Sequence, residues 1–161
     1  FIMEKYFKTS LITKRCKIPI YQLSNNIEQF ILNILKNEFE GKCSNEGYIQ
    51  KNSINIVQHS IGIVNEDHII YDATFEAAVC FPVEEQIITC RIENITKAGV
   101  KAVLSETDNP VVIFAARDLH LDNEEFNSLA ISDQINVSII GTRFEIYDEY
   151  ISAIAKFINK T

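Results

Sequence analysis

The hydrophobic positions of this chain keep two different periods, and the most regular stretch early on is helical. Leu23, Ile27, Phe30, Ile31, Ile34 and Leu35 recur at spacings of three and four, which places them on one face of a helix. Asn25 stands where an N-cap is needed, and Glu28 puts an acid in the first turn. Lys36 sits near the far end, and Gly41 suits the left-handed position beyond it. Before the helix, residues 1–20 hold Ile, Tyr, Phe and Thr in strand-like proportion up to Pro19. After it, residues 47–63 and 68–81 are rich in β-branched and aromatic side chains, parted by the turn-like Asn65-Glu66-Asp67. The first half therefore reads β-α-β-β, an α+β unit in which one helix packs on a small sheet.

Pro82 and the acidic pair Glu84-Glu85 break the pattern, which predicts two domains, 1–83 and 84–161. Beyond the break the period shortens to two. Ile88, Cys90 and Ile92 alternate with Thr89, Arg91 and Glu93, the signature of a half-buried strand. Further strands are expected at 100–104 and 111–115, joined by a polar turn at 105–110, then at Ile135 to Ile139 and over 150–157. An acidic segment with a short helix fills Asp118 to Leu129. Five short strands with that connection between the third and fourth follow the order of an all-β OB-fold barrel, and an edge-open sheet of another kind would show the same periodicity. Gly99 and Gly141 interrupt strand patterns and so predict bulges or sharp bends; Val at either position is expected to destabilise the barrel.

Composition narrows the function classes. With 161 residues, 47% of them hydrophobic, the chain can bury one sizeable core or two small ones. No apolar run reaches the roughly 18–20 residues that cross a bilayer, so no membrane partner is expected. Cys16, Cys43, Cys80 and Cys90 form no C-x-x-C pair and read as reduced thiols of an intracellular protein. The net charge is −7: residues 1–83 carry eight basic and nine acidic side chains, residues 84–161 seven and thirteen. A protein that binds nucleic acid chiefly by neutralising phosphates would lean the other way. Phosphate-binding glycine loops and nucleophile elbows are missing. His59, His68 and His120 lack a Cys or Ser in a recognisable arrangement, and Asp118, Asp122, Glu124 and Glu125 lack the glycine and spacing of a calcium loop. The expectation is no catalytic residue, no metal and no cofactor.

Several segments resemble one family. Glu40-Gly41-Lys42-Cys43 and Gly47-Tyr48-Ile49 are similar to the E-G-x-C and G-[FY]-[IV] elements that follow the helix in the stalk subunits of multisubunit DNA-dependent RNA polymerases. From Tyr71 to Gly99 the likeness runs without a gap, through Phe75, Ala77, Val79, Pro82, Ile87, Ile88, Ile92, Ile95 and Lys97. Asp133-Gln134-Ile135 with Ile139-Ile140-Gly141-Thr142-Arg143 resembles the D-x-I…I-V-G-T-R segment, and Ile151 to Ile154 the closing I-F-A-I. The length is nearest to the seventh subunit of RNA polymerase II, which has an archaeal counterpart. There are departures. The family's R-P-F-x-G-E is Phe81-Pro82-Val83-Glu84-Glu85-Gln86 here, its G-x-G turn is Gln58-His59-Ser60, and Lys101 stands where an aromatic often stacks on a base. They describe a divergent member, from an AT-rich eukaryote or a large DNA virus.

The resemblance implies a non-catalytic subunit with a polymerase-docking tip domain at 1–83 and an OB-fold domain at 84–161. Its partners would be the polymerase core near the clamp, a counterpart of the fourth polymerase subunit, and weakly held single-stranded nascent RNA. It would act in the nucleus of a eukaryote, or in the virion or host cytoplasm for a virus. The candidate core-docking loop is Asn55 to Gly62, with Asn55, Gln58, His59, Ser60 and Gly62. Candidate RNA contacts are Arg91 and Lys101, outward by strand parity, with Lys97, Arg117 and Arg143. A free-standing OB-fold RNA-binding protein is the alternative, which calls for a basic second domain; a protein-only scaffold is another.

Overall fold

In the first half one long strand organises everything around it. A computed structural model describes residues 6–23, 25–104 and 110–161, and the chain divides into two units, Phe1–Cys80 and Phe81–Thr161. In the first unit β1 (Lys8–Pro19) runs antiparallel along one edge of β6 (His68–Cys80), with Ile12 opposite Phe75 and Cys16 opposite Tyr71. The other edge of β6 is shared by three short strands in turn: β3 (Gly47–Ile49), β4 (Asn55–His59) and β5 (Ile63–Asn65). A two-residue β2 (Cys43–Ser44) pairs with β3.

The helix α1 (Ile27–Phe39) lays Ile31, Leu35 and Phe39 on this sheet, against Ile12, Ile18, Tyr71 and Phe75. Its cap is Asn26, whose side chain accepts the Gln29 N–H at 3.1 Å, one residue later than the sequence pattern indicates. Leu23 lies before the helix and packs on the core from outside it. Gly41 ends the element with φ of 71°, as read from the sequence. The expected single strand over 47–63 is three. Asn52, at φ 60°, and the segment 60–62 break it, since each piece must follow β6 at a new register.

The second unit is a closed barrel in the order β7 (Ile87–Ile95), β8 (Gly99–Val103), β9 (Val111–Ala116), β11 (Ile151–Lys160), β10 (Gln134–Arg143) and back to β7. Every junction is antiparallel except the parallel pairing of β9 with β11. A short helix, α2 (Glu124–Asn127), lies between the third and fourth strands. This order fits an OB-type barrel. The polar turn expected before Pro110 falls on 105–109, outside the described residues.

The barrel core is the inward set that alternation predicts: Ile88, Cys90 and Ile92, Val100 and Ala102, Ile113 and Ala115, Ile135, Val137 and Ile139, Ala153, Ala155 and Phe157. One polar group joins it. His120 is buried, with Nδ1 2.7 Å from the Ala116 carbonyl oxygen and Nε2 accepting the Phe157 N–H at 2.8 Å. Because a carbonyl only accepts, the proton sits on Nδ1. The ring stacks on Phe126 at 4.3 Å, which ties α2 to the last strand.

The two glycines of the barrel differ. A Cβ on Gly99, at φ 154°, would collide with the Ala115 carbonyl oxygen, so only glycine fits. Gly141 does sit at a bulge, between Ile139 and the Gly141 pairing with Ile154, but a Cβ there meets nothing within 4 Å. The expectation that Val at Gly141 destabilises the barrel as Val at Gly99 does is thereby corrected.

Candidate functional site

Two surfaces hold the residues that the sequence singles out, one in each unit. In the first unit they lie on and just after β4. Ser60 is clamped to β6 twice: its N–H donates to the Asp72 carbonyl and its Oγ accepts the Asp72 N–H, both at 2.9 Å. His59 packs edge-on against Tyr71 at 5.7 Å between ring centres. Gly62 lies so close to β6 that a Cβ would come within 2.7 Å of the Ile69 and Tyr71 side chains. Asn55 and Gln58 pair with Glu76 and Thr74 of β6.

These anchors leave one residue projecting. Ile61, between Ser60 and Gly62, is 89% exposed, and Val57, Ile63 and Val64 around it are more than half exposed. His59 and Ser60 before it and Gly62 after it hold the backbone against β6, and Ile61 projects between them. The sequence reading named the polar and glycine anchors of the loop and missed the isoleucine that they display. The signal was present as an apolar residue flanked by Ser and Gly in a segment otherwise expected to hide its apolar groups.

In the second unit, strand register arranges the cations. On the outward side one row crosses the sheet from Lys101 to Phe114, Ile154 and Gly141, each paired with the next on the neighbouring strand. A second row runs Arg91, Val103, Val112, Ser152, Arg143. Arg91, Lys101 and Arg143 thus share the outer face of one sheet, and Lys101 forms an ion pair with Glu93 at 3.4 Å. Lys97 and Arg117 instead line a shallow hollow with Ile95 and Thr96. Arg117 is tied down there: its guanidinium donates to Asn127 Oδ1 and the Thr96 carbonyl, each at 3.2 Å, and lies over the Phe126 ring at 5.6 Å.

The sequence reading saw the aromatic missing at Lys101 and overlooked Phe114, its partner across the β8–β9 ladder. Side chains in such pairs stand about 4.5–5.5 Å apart at Cβ, close enough to serve one ligand.

No protein-family model matches the chain. A viral relative does. The chain is 27% identical, over 171 aligned positions covering 96% of its length and 82% of the relative's, to a protein of Acanthamoeba polyphaga mimivirus provisionally named a DNA-directed RNA polymerase subunit. The similarity therefore takes in both units.

Asp133, of the D-x-I segment, accepts the Ala130 N–H at 2.9 Å and faces Lys160 at 3.2 Å; these contacts, the backbone one foremost, hold its carboxyl below the ordinary carboxylate value. Burial pushes the Cys90 thiol up to about 12, and burial with nearby Glu38 and Asp72 pushes Cys16 to about 11. Both stay protonated and unreactive at neutral pH. Among the described residues no three His, Cys, Asp or Glu side chains are grouped to hold a metal ion, and no helix is long and apolar enough to cross a membrane.

Proposed function

We propose that this chain is a non-catalytic subunit of a DNA-directed RNA polymerase, built as a stalk: residues 1–83 dock on the polymerase core and the barrel of 84–161 meets nascent RNA. The observation that carries this reading is the similarity to the mimivirus protein across both units, since a shared barrel alone would leave the first unit unmatched. The anchored tip at Ile61 supplies a contact of the right kind. A rigid apolar residue loses little conformational entropy on burial in a partner, and interface energy concentrates in such anchors.

The acidic barrel also agrees with this role. A free-standing RNA-binding protein needs its own basic surface, whereas a subunit held by protein contacts meets RNA at a high local concentration set by the assembly. A counterpart of the fourth polymerase subunit would be a further partner. Its place of action is that of the polymerase, the virion or host cytoplasm if the enzyme is viral.

Affinity purification of the tagged full chain from its own cell or virus tests this. The large polymerase subunits are expected in the eluate. Ile61→Asp is expected to lower their recovery at least tenfold, since a hot-spot contact carries about 2 kcal/mol or more, while the thermal midpoint stays that of the parent. Recovery of ribosomes or nuclease subunits, with no polymerase, would sink the reading.

A further inference from the structure

The outer face of the barrel holds an apolar cleft of about 400 Å³, within the second unit alone. Val112 and Phe114 of β9, Ile154 of β11 and Tyr150 just before it form the walls, and Gly141 leaves the cleft open. Phe114 is braced along β8, with its ring tip 3.0 Å from where a Gly99 Cβ would stand. Tyr150 and Ile154 are each about half exposed.

One end of the cleft is bordered by acids. Arg143 and Tyr150, which both line it, flank the segment 144–149, and that segment carries exposed Glu145, Asp148 and Glu149. The segment is closed on itself. Glu145 N–H donates to Asp148 Oδ2 at 2.8 Å, and Asp148 N–H donates to the Glu145 carbonyl at 3.1 Å, which keeps the two glutamates next to the opening. Other nearby cations are paired or lie farther along. Lys101, across from Phe114, faces Glu93 at 3.4 Å, and Lys156 stands two residues beyond Ile154, away from the acidic segment. Residues 84–161 as a whole carry seven basic and thirteen acidic side chains.

We infer that this cleft docks a cationic segment of another protein, which seats one bulky apolar side chain against Phe114 and Tyr150 and lays a neighbouring Lys or Arg along Glu145 and Glu149. The site goes beyond the function proposed above and does not depend on RNA reaching the barrel. An apolar side chain in a walled cleft supplies the binding energy, and the acids select the partner by charge and steer its approach. Arg143 stands at the same end, and its guanidinium, which only donates, fits a backbone carbonyl of the docked segment. The charge excludes two other occupants. A phosphate backbone is repelled by the acids at the opening, and a second copy of this chain, at a net charge of −7, is repelled as a whole.

The test selects random peptides displayed on phage against the immobilised full chain and measures the recovered sequences, as labelled synthetic peptides, by anisotropy. They are expected to share one Leu, Phe or Trp next to Lys or Arg. Gly141→Val should weaken their binding about tenfold by filling the cleft, with the thermal midpoint near the parent's because its side chain has room. Ile154→Lys, at a position 53% exposed and so tolerant of the change, should do the same by setting a like charge in the wall. Glu145→Gln/Glu149→Gln should weaken binding about threefold, the size of an exposed ion pair, and flatten its dependence on salt. Peptides bound equally by both cleft variants, a recovered motif that is acidic or neutral, or no recovered motif at all would each overturn the proposal. So would a 4-thiouridine oligonucleotide that crosslinks within 111–116 or 150–154 and is displaced by the peptide, or a dimer of the parent that Gly141→Val abolishes; these would assign the cleft to nucleic acid or to a second copy.

Discussion

Glu85 occupies the place where the resembling family carries glycine, and its backbone has φ 66°, the left-handed region that glycine tolerates best. The turn takes this left-handed conformation without a glycine. It is held by Glu85 N–H donating to the Ile139 carbonyl at 2.7 Å and by Val83 N–H donating to Gln86 Oε1 at 3.1 Å. Glu85→Gly should therefore stabilise the protein by about 1 kcal/mol, seen as a raised denaturant midpoint at unchanged slope. The barrel glycines give the opposite test. Gly99→Ala is expected to cost about 2–4 kcal/mol, because the added carbon meets backbone, and Gly141→Val less than about 1 kcal/mol. Asp133 contributes to the acid response. Its lowered pKa means that the contacts with Ala130 and Lys160 stabilise fully above the ordinary value of 3.8, and that this is lost as pH falls through the lower folded-state value. Asp133→Asn should flatten the fall in thermal midpoint below about pH 4; an unchanged acid profile would show that other carboxylates set it.

At the scale of elements, the helix and the barrel strands were legible because each buries one face. Ile31 and Leu35 repeat at four, and Ile135, Val137 and Ile139 at two, and both sets are buried as that spacing requires. Residues 47–63 were not legible. A run of β-branched residues states a preference for strand but not where a strand must stop, and the stops come from the path of β6. The candidate surfaces followed the same division. Position in the loop 55–62 could be read, but which residues anchor and which project depends on Asp72 and Tyr71. Phe114 and Gly141 become neighbours of one cleft only because the barrel closes. His120 was unreadable for the same reason, since its partners Ala116 and Phe157 meet through β9 and β11. His120→Leu keeps bulk but leaves the buried Phe157 N–H without an acceptor, and should cost about 1–3 kcal/mol in chemical denaturation.

For the whole molecule, two hydrophobic cores mean that damage should stay local. Gly99→Ala is expected to lower amide exchange protection throughout 81–161 while amides of α1 and β6 exchange as in the parent; a uniform loss would show that the units unfold together. The parallel pairing of β9 with β11 has a further consequence, for biosynthesis. Among the described residues β11 is the strand that bridges β9 and β10 in the barrel, and it is the last of the five to be made. Until Lys160 has left the ribosome, β9 and β10 each keep a row of unsatisfied backbone groups, the kind of edge that recruits other chains. The first unit, whose strands are complete at Cys80, is free to fold well before then. Nascent chains interrupted within the barrel would therefore carry a finished first unit on an adhesive, half-built second one, and the cell would meet them as seeds for aggregation.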